Sequence, residues 1–184
     1  VFSKLQNKGY LASTLSTYDF STLYTTLPHD LIKDKLTQLI KKTFQREKRS
    51  YLACNAFFTD EQVKHYTIRT CSEVCDTLTF LLDNIFVRYG NAIYRQVIGI
   101  PMGTNCAPLV ADLFLCCYER DFMLGLNPDS QADVIHAFNA TSRYLDDIFN
   151  IDNPYFDKMR TSIYPKELQL NKASSSDISA AFLY

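Results

Sequence analysis

Asp146 and Asp147 lie between two short apolar runs, Tyr144-Leu145 and Ile148-Phe149, and this pattern reads as the tip of a β-hairpin. Adjacent aspartates repel each other and are costly to hold near apolar surface. A chain that keeps both needs a compensating positive charge, for which a divalent cation is the usual source. The bland alternative is a solvated loop tip, since aspartate is common in turns.

A third carboxylate stands far upstream. Thr14-Leu15-Ser16-Thr17-Tyr18-Asp19-Phe20 is a β-prone run with an aspartate near its end, followed by Ser21 to Pro28 and then a helical pattern. A strand ending in Asp19 can lie beside a hairpin ending in Asp146 and Asp147. Those three side chains are then enough to share two Mg²⁺ ions about 3.5–4 Å apart, the arrangement used for in-line phosphoryl transfer. Mg²⁺ suits such a site because it takes oxygen ligands, keeps some waters and leaves positions for substrate phosphates.

Between the acidic elements runs Tyr94-Arg95-Gln96-Val97-Ile98-Gly99-Ile100-Pro101-Met102-Gly103-Thr104-Asn105-Cys106-Ala107-Pro108. With this segment the order of motifs resembles the palm of a reverse transcriptase: motif A from Tyr18-Asp19 to Tyr24, motif B from Gly99 to Pro108, and motif C from Tyr144 to Asp147. Their wording is most similar to Penelope-like retroelements, with Leu-Tyr-Thr after the first aspartate, Pro-Met-Gly in motif B and Tyr-x-Asp-Asp in motif C. Met102 and Ala107 depart from the commoner Gln and Ser of motif B, which removes a side-chain hydrogen bond expected in other reverse transcriptases.

The resemblance implies an RNA-directed DNA polymerase that adds deoxynucleoside triphosphates to a DNA primer on an RNA template. It also implies two Mg²⁺ ions, with Mn²⁺ as a substitute, and an intracellular, nuclear setting. Asp19 and Asp146 are expected to bind both metals, the Phe20 carbonyl to be a further ligand, and Asp147 to be a neighbouring carboxylate. Tyr24 matches an aromatic steric gate, a ring that excludes a ribose 2′-hydroxyl by clashing with it; its bland reading is a core aromatic. Gly99 and Gly103 fit a close approach of backbone to nucleotide, which a Cβ would obstruct, and Met102 lies beside them. Lys172, in Leu168-Gln169-Leu170-Asn171-Lys172, resembles the motif D lysine thought to protonate the leaving pyrophosphate. A surface lysine ending a strand looks the same.

Composition sets wider bounds. A chain of 184 residues with 47% hydrophobic content can bury a core, and it has no apolar run of membrane-spanning length. The six cysteines lack paired Cys-x-x-Cys spacing and read as buried free thiols in a reducing compartment. A net charge of −1 is unexpected for a holder of polyanionic strands. The basic block Lys41, Lys42, Arg46, Lys48 and Arg49 reads equally as a solvated helix end or as a nucleic-acid contact. Arg95, next to motif B, reads as a template or phosphate contact or as solvated surface.

Periodicity predicts helices over 28–48, 72–89, 107–124 and from Asn153-Pro154 to about Ile163, with Gly90 as a stop signal. Strands are expected over 14–20, 51–58, 93–98 and 167–171, and a hairpin over 143–151. Helices thus interrupt a mostly antiparallel sheet, an α+β layer architecture. By resemblance it is a palm-type sheet of the polymerase right-hand fold with incomplete fingers and no thumb, so that residues 1–184 form a reverse transcriptase domain fragment expected to be inactive alone. Two readings from different classes remain: a polymerase palm, or a catalytically inactive remnant repurposed for nucleic-acid binding. A third, an RNA-templated RNA polymerase, is expected to carry a smaller or polar residue in the Tyr24 role.

Overall fold

The computed structural model describes residues 12–54, 57–61 and 64–173. The chain is α+β, and its described strands pair in antiparallel fashion. It divides into two compact units, one made of Val1–Thr26 with Tyr118–Tyr184 and the other of Leu27–Cys117.

The first unit is built on a four-stranded sheet. Strands β1 (Leu15–Phe20), β7 (Thr141–Tyr144), β8 (Asp147–Ile151) and β9 (Leu170–Lys172) lie in the order β7-β8-β1-β9. The β-branched and aromatic residues of β1 and β8 suit paired, half-buried backbone. One face of the sheet carries Tyr18, Phe20, Arg143 and Ile148, which are directly opposed or alternate along their strands. This face packs against α6 (Phe156–Ile163) and the residue that follows it. The Tyr18 and Phe156 ring centroids are 4.7 Å apart, and Phe20 meets Tyr164 edge-on at 4.8 Å. Tyr18, Ile148 and Phe156 are almost fully buried, and each such side chain contributes about 1.5–3 kcal/mol. A short helix, α5 (Ala132–Phe138), not expected from the sequence, adds Phe138 beside Phe156.

The second unit holds α2 (His29–Glu47), α3 (Cys71–Asp83), a three-stranded sheet of β2 (Tyr51–Ala53), β3 (Phe57–Thr59) and β4 (Ile68–Thr70), and the hairpin β5 (Phe86–Tyr89) with β6 (Ala92–Arg95). Helix α2 presents Ile32, Leu36 and Phe44 to the interior and ends where Lys48, at φ 53°, donates its N–H to the Phe44 carbonyl. Thr70 and Glu73 form a reciprocal capping box at the start of α3. Helix α4 (Ala107–Gly125) begins in this unit, and its residues from Tyr118 onward belong to the first.

Several boundaries differ from expectation, among them the strand read over 93–98, which is Ala92–Arg95, and the last helix, which begins at Phe156. The helical stripe read through Phe86 and on to Tyr89 stops at Asp83, where Asn84 returns its side-chain amide to the Phe80 carbonyl at 2.8 Å. The β-prone Phe86–Tyr89 then forms a strand, and Gly90, at φ 59°, serves the hairpin turn and not a helix end. The run 51–58 is two paired strands, β2 and β3. The last strand starts at Leu170, not at residue 167. All six cysteines are free thiols, but only Cys75 and Cys117 are buried. Among the described residues no helix is long and apolar enough to cross a membrane.

Candidate active site

Antiparallel pairing of β1 with β8 sets Asp19 directly opposite Asp147, and β7 pairs with β8 so that Tyr144 also faces Asp147. Directly opposed residues share a sheet face, so Asp19, Asp147 and Tyr144 project from the face opposite Tyr18 and Ile148. Leu145 and Asp146 are the two residues of the turn. The Phe20 N–H donates to the Asp146 carbonyl at 3.0 Å, which ties the turn to the end of β1. The end of β1 and the turn thus put Asp19, Asp146 and Asp147 in one neighbourhood, near enough for their charges to act on one another.

Their electrostatics are unfavourable as they stand. Burial, then the charge of Asp146, holds the Asp19 carboxyl above its ordinary value; burial, then Asp146 and Asp19, does the same for Asp147. Among the described residues no basic side chain is salt-bridged to any of the three. Among the described residues no group of three or more His, Cys, Asp or Glu side chains is arranged to hold a metal ion. A Mg²⁺ site is usually completed by waters and substrate phosphates around one or two carboxylates, so a closed cage of protein ligands is not what such a site requires. The donor chemistry, oxygen atoms in a mutually repelling cluster, fits a hard divalent cation.

The other predicted residues fall as follows. The Phe20 side chain is buried against Tyr164, so its backbone is what it can offer to the site. Tyr24 is half-buried on the single helical turn α1 (Leu23–Thr26), which is tied by Thr25 and Thr26 N–H groups to the Thr22 carbonyl, each at 3.0 Å. Lys172 is exposed and stands opposite Tyr18, so the pleat directs it to the other face from Asp19; Asn171 is the residue in register with Asp19. Met102 and Gly103 belong to the second unit. Met102 is exposed, and a Cβ added at Gly103 meets nothing within 4 Å. Gly99, at φ 75°, takes the left-handed region that favours glycine; its carbonyl lies 2.7 Å from Nε2 of the buried His29, and its N–H donates to the Leu27 carbonyl at 2.8 Å. Arg95 pairs with Asp83 at 3.4 Å, while Lys33 holds the same carboxylate at 2.6 Å and keeps its pKa below the ordinary value. In the basic block Arg46 pairs with Glu47 and Arg49 with Asp60.

Sequence reading missed the support beneath the turn. Arg143, a half-buried residue whose side chain is largely covered, forks onto Glu119 of α4, with Nε to Oε1 at 2.5 Å and Nη2 to Oε2 at 3.2 Å, and donates from Nη1 to the Leu145 carbonyl at 2.9 Å. The Tyr164 hydroxyl donates to the same Glu119 Oε1 at 2.9 Å, and burial, then the Glu119 charge, holds its pKa well above the ordinary tyrosine value. A separation of twenty-four residues between Glu119 and Arg143 leaves no local signature of this pair.

No family model and no curated protein matches the chain. It is similar in structure to telomerase from Candida albicans in complex with the TWJ fragment of telomeric RNA, at a TM-score of 0.58 and 12% identity over 92% of this chain and 28% of that one. Telomerase from Candida Tropicalis, also in complex with the TWJ fragment of telomeric RNA, gives a TM-score of 0.56 and 12% identity over 97% and 29%. The chain thus spans little more than a quarter of the telomerase chains it matches. The likeness, at this low identity, shows that the chain shares the fold of a part of those telomerase chains.

Proposed function

We propose that this chain is the palm of an RNA-directed DNA polymerase of the Penelope-like retroelement type, which acts on an RNA template, a DNA primer and deoxynucleoside triphosphates. The observation that carries the reading is the grouping of Asp19, Asp146 and Asp147 at one end of β1 and β8, with no salt bridge to any of them among the described residues. The fold likeness to telomerase supports the polymerase class, and the wording of the motifs supports the retroelement type.

Asp19 and Asp146 are the residues to hold two Mg²⁺ ions, with Asp147 beside them and the Phe20 carbonyl as a further oxygen donor. When bound, the metals supply charge stabilisation for in-line displacement at a triphosphate and activate the primer 3′-hydroxyl. The chain's own part is to fix the carboxylates on paired strands, so that little reorganisation is needed when substrate arrives. Tyr24 is the residue to select the sugar. Lys172, on the far face of the pleat from Asp19, is a weaker candidate for proton donor than its sequence position suggests.

The experiment is Mn²⁺ titration of the chain followed by electron paramagnetic resonance. The wild-type chain is expected to bind Mn²⁺ in competition with Mg²⁺, Asp146→Asn to lose that binding, and Asp129→Asn, in an exposed loop, to keep it. Equal binding by Asp146→Asn and wild type overturns the assignment.

A further inference from the structure

The turn that presents Asp146 and Asp147 is made with an unsuitable residue. Leu145 occupies its first position at φ 52°, the left-handed region that glycine or asparagine takes easily and a leucine takes only under strain. Such strain persists where surrounding contacts over-determine the conformation. Two contacts do so here. The Asp146 carbonyl is held by the Phe20 N–H, and the Leu145 carbonyl is held by Arg143 from the opposite face of the sheet.

Arg143 is itself immobilised. Its remaining donors form a two-point pair with Glu119, which also accepts from Tyr164, so helix α4 and the end of α6 together fix the guanidinium. We infer that Arg143, clamped by Glu119, is a positioning residue: it holds the Leu145 carbonyl in the strained turn and so sets where Asp146 and Asp147 stand relative to Asp19. The inference rests on the proposed metal-binding role of the acids for its consequence, but its structural half stands apart from that role. An arginine is required because one planar fork must serve a carboxylate and a carbonyl at once. A lysine can keep the charge pair with Glu119 but offers a compact point charge in place of the fork.

The test uses the full 184-residue chain with Arg143→Lys and Glu119→Gln. The Phe20 amide reports on the Asp146 carbonyl, and the Ala173 amide, bonded to the Thr17 carbonyl at 2.8 Å, reports on the same sheet away from the turn. Native-state hydrogen exchange of Phe20 is expected to rise about tenfold in either variant while that of Ala173 changes less than about twofold. Mn²⁺ affinity is expected to fall severalfold in both. Unchanged Phe20 exchange, or a parallel rise at Phe20 and Ala173, overturns the positioning role and leaves Arg143 as general scaffolding, as does failure of both variants to fold. Absence of Mn²⁺ binding by the wild-type chain overturns the metal reading instead, and Phe20 exchange still decides the positioning role. Mn²⁺ binding that Asp146→Asn abolishes and Arg143→Lys leaves intact separates the two in the other direction.

Discussion

Asp19 and Asp147 face each other directly across β1 and β8, so the pairing that builds the sheet also forces two carboxylates together. Like charges opposed across strands destabilise, and here burial and Asp146 add to the cost. A folded-state pKa above the ordinary value near 3.8 means that the native chain keeps its protons longer than the unfolded chain. The contribution of these two carboxyls to stability is therefore most favourable below that ordinary value. It falls as pH rises through it toward the raised native value, and stays lowered at neutral pH. Asp19→Asn and Asp147→Asn are each expected to stabilise the chain at pH 7 by about 0.2–1 kcal/mol and to flatten this slope. Urea denaturation from pH 3 to 7 measures it, and a neutral-pH stability of either variant at or below wild type would count against the electrostatic account.

Tyr24 should govern sugar choice if the short helix α1 carries it beneath a bound nucleotide. Removal of the ring in Tyr24→Ala is expected to raise ribonucleotide over deoxynucleotide incorporation by about tenfold, within the range that a steric pocket element commands. Primer extension by an enzyme in which reverse-transcriptase fingers and thumb flank this chain provides the measurement. Unchanged sugar discrimination removes Tyr24 from the mechanism.

The capping box of α3 makes a stability prediction independent of function. Thr70 accepts from the Glu73 N–H at 3.2 Å, and Glu73 accepts from the Thr70 N–H at 2.7 Å. Thr70→Ala is expected to cost about 1 kcal/mol, seen as a lower midpoint in urea at constant slope. Thr70→Ser should retain most of the cap. Equal losses for the two variants would show that the hydroxyl is not what matters.

The neighbourhood of the three acids was legible because alternation, turn residues and motif order are local signals, and the order of three motifs carried what the Asp146-Asp147 pair alone did not. The end of α3 was not, because Leu78, Leu81, Leu82, Ile85 and Phe86 keep helical spacing beyond the point where Asn84 caps the helix. The face that Lys172 occupies was not legible for a different reason. Strand registers have a period of two, and a shift of one residue exchanges Lys172 for Asn171 beside Asp19. The Arg143–Glu119 clamp joins a strand to a helix and exists only once both have packed, so no spacing in the sequence announces it. Part of the positive charge that read as available to nucleic acid is committed in the same way, with Arg95 on Asp83, Arg49 on Asp60 and Arg46 on Glu47.

That commitment of charge bears on how tightly the chain can hold nucleic acid. Affinity for nucleic acid depends largely on cations that displace counterions from phosphates, and here the net charge is −1 while several basic side chains are already paired with carboxylates. The isolated chain is expected to bind an RNA–DNA hybrid no more tightly than about 10⁻⁶ M at physiological salt, with affinity falling steeply as salt rises, as for non-specific binding. Without further positive surface to hold template and triphosphate, it is expected to give no measurable primer extension. Extension should appear when reverse-transcriptase fingers and thumb flank it, and Asp146→Asn should abolish it by removing a metal ligand while barely changing size. Fluorescence anisotropy across a salt series and primer extension on an RNA template measure these outcomes. Robust extension by the chain alone contradicts the binding argument, and full activity of the flanked Asp146→Asn enzyme contradicts the role given to the carboxylate.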